Sequence, residues 1–170
     1  DYLKKNCKAN INHISSISVI KEKGFMNLDG FTIRNLEIFK SLNSQNSDNS
    51  LINCLDYTLT AVGGRLLKSW VRSPLTDIKQ IEFRHNLIDE LQINKNIVKD
   101  INKEFKKISD IERIIARLTV NRANPRELQQ LGFSLEIGKK IQTEVLKFKS
   151  KNLKKLFKDF HDLSEVSLII

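Results

Sequence analysis

From Leu51 to Leu75 the chain reads LINCLDYTLTAVGGRLLKSWVRSPL, and the apolar residues Leu51, Leu55, Leu59, Val62, Leu66 and Trp70 recur at steps of four and three. That spacing lines one face of a helix; a strand would alternate with a period of two. Thr60 is placed to cap a second helix within the stretch, because a hydroxyl just ahead of a helical run accepts an orphan N–H of the first turn. Gly63 and Gly64 then fall early in that helix, where they sacrifice backbone stability, so another segment is expected to pack closely against them. Ser73-Pro74 closes the run.

The chain ahead of this stretch reads differently. Residues 11–28 alternate weakly, with Ile17 and Val19 on one face and Phe25, Met26 and Leu28 after Lys23-Gly24, which predicts two short strands in a hairpin. Asp29 is a cap for a helical turn through Arg34, and Leu36, Ile38 and Phe39 are expected to form a further strand. SLNSQNSDNS, from Ser41 to Ser50, is polar and reads as an exposed loop. Residues 1–50 are therefore expected to hold short strands, a turn and a polar loop leading into a helical core over 51–170.

Beyond Pro74, Thr76 or Asp77 can cap a helix to about Gln92, with Ile78, Ile81, Ile88 and Leu91 on its buried side. Arg84 shares that stripe, so it must either snorkel or find a carboxylate, with Asp110 and Glu112 the candidates. Ile97, Ile101, Phe105 and Ile108 mark a helix from about Lys95 to Lys107. Ser109-Asp110-Ile111-Glu112 reads as a Ser-x-x-Glu capping box ahead of Ile114, Ile115 and Leu118. Asn124-Pro125-Arg126-Glu127 repeats that logic, with Asn as cap, Pro first and Glu third. The helix it opens runs through Leu131, Leu135, Ile141 and Val145 to about Phe148, and a last helix carries Leu153, Leu156, Phe157, Phe160 and Leu163. The fold class is mainly α: a bundle of about six helices with a small N-terminal β hairpin or short sheet.

The residues carry no catalytic constellation. His13, His85 and His161 lack metal-ligand spacing, and no Gly-rich loop ends in Lys-Ser or Lys-Thr, so no P-loop cradles a nucleotide. Cys7 and Cys54 form no CxxC pair, and Cys54 is expected to be a small core residue. Asp110 and Glu112, two apart on a helix, are expected to point in different directions. The formal charge of +9 permits attraction to nucleic acid or to acidic partners. Lys139, Lys140, Lys147, Lys151, Lys154 and Lys155 are the candidate DNA-phosphate contacts, set against the plainer reading of a solvated face. No apolar run is long enough to span a bilayer, and a cytoplasmic protein with no membrane partner is expected.

Several motifs in order carry a resemblance to the MutS family of DNA mismatch repair proteins, bacterial type. They are Asp29, Thr32, Asn35, Leu36 and Glu37; Leu55-Asp56-Tyr57-Thr58; Gly64-Arg65-Leu66-Leu67-Lys68; Trp70 with Ser73-Pro74-Leu75; and Arg84. Further on stand Asp110-Ile111-Glu112-Arg113, Ala116-Arg117-Leu118, and Arg122-Ala123-Asn124-Pro125-Arg126-Glu127-Leu128, where Glu127 replaces the family's usual Asp. Asn49-Ser50-Leu51 departs from the usual Gly ahead of this helix, as does Thr60-Ala61-Val62-Gly63 from the common Thr-Pro-x-Gly. The resemblance implies the first part of a core domain. In the whole protein it implies mismatched double-stranded DNA as ligand, a homodimer, ATP and magnesium at an ATPase outside this chain, MutL as downstream partner, and a place in the DNA damage response. This chain contains neither the Phe-x-Glu mismatch motif nor the Walker ATPase. With no catalytic, cofactor or metal residues of its own, its implied role is mechanical coupling, carried by Asp29, Asn35, Glu37, Gly64, Arg65, Trp70, Pro74, Arg84, Asp110, Glu112, Arg113, Arg117, Pro125 and Arg126.

Overall fold

The computed structural model describes residues 24–43, 48–148, 150–157, 161 and 163–169. Among them lie nine helices: α1 (Gly30–Asn35), α2 (Leu51–Leu55), α3 (Ala61–Arg72), α4 (Ile78–Ile93), α5 (Lys95–Phe105), α6 (Ile111–Thr119), α7 (Pro125–Leu146), α8 (Lys151–Leu156) and α9 (Ser164–Ile169). The mainly helical class is what the periodicity predicts. The number exceeds about six because short helices stand beside the long ones, each opened by a polar cap where one is seen: Asp29 for α1, Ser50 for α2 and Ser150 for α8. The expected last helix is described as α8 over Lys151–Leu156, and Leu163 precedes α9.

α7, of 22 residues, is the spine, packed by α5, α6, α8 and α9. Its start follows from three neighbouring residues. Asn124 accepts the Glu127 N–H, Glu127 reaches back to the Asn124 N–H, and Pro125 opens the first turn, where no amide hydrogen is needed. The helix is continuous through Gly138. Ile137, Ile141 and Val145 on one face and Phe148 just past its end, with Ile101 of α5 and Leu153 of α8, form the buried core; Leu87, Leu91, Ile97, Val98, Phe105, Ile108 and Phe157 close around it. The predicted inner face of α5 is thus the face that packs.

The N-terminal expectations are corrected. Residues 11–23 of the proposed hairpin lie outside the described residues. Among the described ones the extended pairing is a single antiparallel bridge between Phe25 and Leu75, with Met26 N–H donating to the Pro74 carbonyl and Thr76 N–H to that of Gly24. The strand expected at Leu36, Ile38 and Phe39 is a tight turn. Glu37 sits there at φ +48°, its carboxylate accepting from the Leu42 N–H and the Ser41 hydroxyl, so the chain reverses instead of extending. The Glu37 and Ile38 carbonyls then accept the first two amides of α2, and the Ser50 hydroxyl accepts the third, from Asn53, so backbone and side chain together satisfy this helix end.

The first stripe is helical but broken after Leu55, and its apolar residues stay substantially exposed, Leu66 and Trp70 among them. On α4, Ile78 and Ile88 are exposed, whereas Leu87 and Leu91 meet the core. Cys54 is exposed, not core. Asp77 caps α4 through the amides of Lys79 and Gln80, and α6 begins one residue later than its supposed box: Asp110 is the cap, while Ser109 N–H donates to the buried Ser134 hydroxyl.

Candidate functional site

α3 is positioned from its first turn. The Thr60 hydroxyl accepts the Gly63 N–H, and the preceding turn is knotted by Asp56, which accepts from both the amide and the hydroxyl of Thr58. These two hydrogen bonds hold the Asp56 carboxyl below its usual range. A Cβ on Gly63 would lie 3.0 Å from Thr60 Oγ1, and one on Gly64 3.3 Å from Thr58 Oγ1. The segment that demands glycine is therefore the chain's own 56–60 turn.

One residue on, Arg65 reaches across to α6. Its Nη1 donates to Asp110 Oδ2 at 2.8 Å and its Nη2 to Asp110 Oδ1 at 2.7 Å, the fork-on-carboxylate arrangement that a lysine cannot reproduce. Nε and Nη2 also bond Glu112 Oε2, at 3.0 and 2.6 Å. Asp110 and Glu112 therefore converge on one guanidinium, contrary to the helix-geometry expectation. Asp110 is the cap, outside helical geometry, so the two do not follow the angular spacing of residues within a helix. Both carboxylates belong at this position because a helix N-terminus carries positive partial charge. The Arg65 guanidinium is the main reason the Asp110 carboxyl titrates far below 3.8, at about 2, aided by the Arg113 N–H; Arg65 is in turn raised, by Asp110 first and then Glu112.

A second link ties α3 to α4. Arg84 does not meet the carboxylates expected for it; its guanidinium carbon lies over the Trp70 ring, 3.6 Å from the centroid, a cation–π contact. A looser one joins Arg72 at the end of α3 to Phe39, at 5.7 Å. A third link ties α6 to α7: Arg117 Nη1 meets Glu127 Oε1 at 2.8 Å, and its Nη2 donates to the Arg122 carbonyl.

Other expected residues stand apart. Asp29 caps α1 through the Thr32 amide, and Asn35, exposed, ends that helix. Arg126 is exposed in the first turn of α7. Lys139, Lys140, Lys147, Lys154 and Lys155 are exposed; Lys147 pairs with Glu144, and the Lys151 side chain lies outside the description. Sequence reasoning missed Ser134, which joins the Ser109 amide to the Gln130 carbonyl; its signal was a lone hydroxyl on the apolar stripe of α7. It also missed Glu90, which has one carboxylate oxygen buried without a partner and the other 3.4 Å from Asn152 Nδ2. Among the described residues no group of three or more His, Cys, Asp or Glu could hold a metal, and no helix is long and apolar enough to cross a membrane.

What these contacts do is fasten helix to helix, which places the chain in the class of braced helical domains. The family described as MutS domain III matches residues 31–169, and the chain belongs to that family. It is 36% identical over 169 residues to the DNA mismatch repair protein MutS of Desulforamulus reducens, covering 99% of this chain and 20% of that protein. It is 35% identical over 160 residues to the one from Flavobacterium johnsoniae (94% and 18%) and 42% identical over 137 residues to the one from Rickettsia africae (80% and 15%). The chain thus spans about a fifth or less of the length of these relatives.

Proposed function

We propose that this chain is a connecting domain of a DNA mismatch recognition ATPase, which transmits mechanically between parts that bind mismatched duplex DNA and parts that bind ATP with magnesium. The chain has no catalytic role of its own in this reading; the whole protein works as a homodimer and recruits MutL. The observation that carries it is the Arg65 clamp on Asp110 and Glu112, a tertiary ion-pair cluster joining elements about 45 residues apart. With Arg84 on Trp70 and Arg117 on Glu127, it gives a continuous series of side-chain links from α4 through α3 and α6 to α7. Such a series moves as a body, which is what transmission between distant sites requires. The names of the relatives support the repair setting.

The test is ATP hydrolysis by the full-length protein with homoduplex and with mismatched duplex. Arg65→Lys and Arg84→Ala are expected to blunt the difference between the two DNAs while ATP turnover without DNA persists. A variant that keeps its melting temperature and its full mismatch response overturns the reading. The other reading, a basic module contacting DNA phosphates through Lys139, Lys140, Lys147, Lys151, Lys154 and Lys155, would instead show sequence-blind binding that fades steeply with salt.

A further inference from the structure

Between the C-terminal half of α4, the outer face of α5 and the tip of the 56–60 turn runs a groove of about 640 Å³. Its floor is apolar: Leu59, Ile88, Leu91 and Val98, with Leu59 and Ile88 substantially exposed. Its rim is basic. Lys95, Lys99 and Lys103 on α5 and Lys106 at its C-cap follow one another at steps of four, four and three, the spacing that keeps side chains on one helix face, over roughly 16 Å. Lys103 is engaged by Asp100 at 2.8 Å; among the described residues the other three form no ion pair. Gln92 and Asn102 add amide groups to the lining.

We propose that this groove docks an amphipathic helix of an acidic partner protein, its apolar stripe on Leu59, Ile88 and Val98 and its carboxylates along the lysine row. The dimensions agree: three turns of helix carry apolar anchors at i, i+4 and i+7, the pattern by which a helix occupies a groove. Charge complementarity decides between occupants. A second copy of this chain, at +9, is repelled by the lysine row, whereas an acidic segment is steered to it. A phosphate backbone would satisfy the lysines but leave the apolar floor uncovered, and among the described residues the lining offers no aromatic ring for base stacking. The proposal is independent of the connecting role, since none of these residues belongs to the Arg65, Arg84 or Arg117 links.

The probe is a fluorescein-labelled helical peptide with leucines at i, i+4, i+7 and i+11 flanked by glutamates, titrated by anisotropy with the full-length protein. The same peptide with glutamine for glutamate and a duplex DNA of equal length are run beside it. Saturable binding of the glutamate peptide is expected, weakened at least about tenfold by Lys95→Glu with Lys99→Glu, and also by the milder Lys99→Gln with Lys106→Gln. All three positions are exposed, and unchanged circular dichroism and melting show that the variants fold. Ile88→Ser should weaken binding without changing its salt dependence, because it removes apolar contact and adds no charge. Equal affinity for the glutamate and glutamine peptides overturns the proposal. So does the absence of peptide binding, or displacement of the peptide by duplex DNA with the same lysine dependence.

Discussion

The guanidinium of Arg84 lies over the indole of Trp70, 3.6 Å from the ring centroid, and so fastens the middle of α4 to the end of α3. Neither partner is fully buried: Trp70 remains 43% exposed and Arg84 is intermediate. A contact of this kind is worth about 0.5–2 kcal/mol, depending on how far water is excluded. Arg84→Ala should lower unfolding stability within that range, with Arg84→Lys between it and the parent, because an ammonium keeps the charge but not the planar stack. Trp70 is the single tryptophan, so its emission reads the contact directly. Emission and denaturation midpoint unchanged in Arg84→Ala would refute the assignment.

The Arg65 clamp predicts a particular acid response. The folded pKa of Asp110 is depressed from 3.8 to about 2, so folded protein holds the carboxylate ionised where the unfolded chain takes up a proton. The stabilisation is fully present above about pH 4 and is lost as pH falls through 2. Arg65→Met removes the guanidinium that holds the carboxylate ionised, so stability of the variant should fall less steeply between pH 4 and 2 than that of the parent. Denaturant midpoints measured across that interval decide the matter; parallel curves would show that Arg65 does not set the Asp110 titration.

Which parts of this arrangement the sequence discloses depends on how local the cause is. The start of α7 is readable because Asn124, Pro125 and Glu127 satisfy one another within four residues, and the caps at Asp29, Thr60 and Asp77 are readable for the same reason. Arg65, Asp110 and Glu112 stand out individually, yet their meeting does not, because it depends on how α3 and α6 approach across a sequence separation of 45. The apolar stripe around Arg84 calls for a partner and makes those carboxylates the candidates, but the aromatic face of Trp70, only fourteen positions earlier, meets the guanidinium instead. The apolar stripes show which residues share a face, but not what covers that face, which is why Leu66, Ile78 and Ile88 are more open than periodicity implies. The turn at Glu37 is the opposite case: an apolar pattern read as strand is overridden by a carboxylate that takes the nearby Leu42 amide and Ser41 hydroxyl.

At Gly63 two effects nearly cancel. Alanine in a helix is favoured over glycine by about 1 kcal/mol, and such a gain is expected wherever space allows. Here the new methyl would sit 3.0 Å from Thr60 Oγ1, the atom that caps the helix, and losing a cap costs about 1 kcal/mol. Gly63→Ala should therefore leave stability near that of the parent, and Gly63→Ala in a Thr60→Ala background should recover the full propensity gain. Thermal unfolding of the double-mutant cycle measures this; a gain of the same size in both backgrounds would show that the cap yields freely.

Glu127 stands where the family pattern usually has Asp, and the geometry shows what the longer side chain does. Oε2 accepts the Asn124 N–H at 3.0 Å while Oε1 meets Arg117 at 2.8 Å, so one carboxylate closes the capping box of α7 and ties that helix to α6. Aspartate is one methylene shorter and cannot reach both. Glu127→Asp should lose about 0.5–1 kcal/mol, from whichever of the two bonds is given up. Glu127→Gln keeps the capping geometry and gives up only the ion pair, so its loss should be smaller and should vanish at high salt, whereas that of Glu127→Asp should not vanish if the cap is what is lost. Denaturation of both variants at low and high ionic strength separates the roles. If aspartate matches the parent in both, α6 and α7 are held together without this carboxylate.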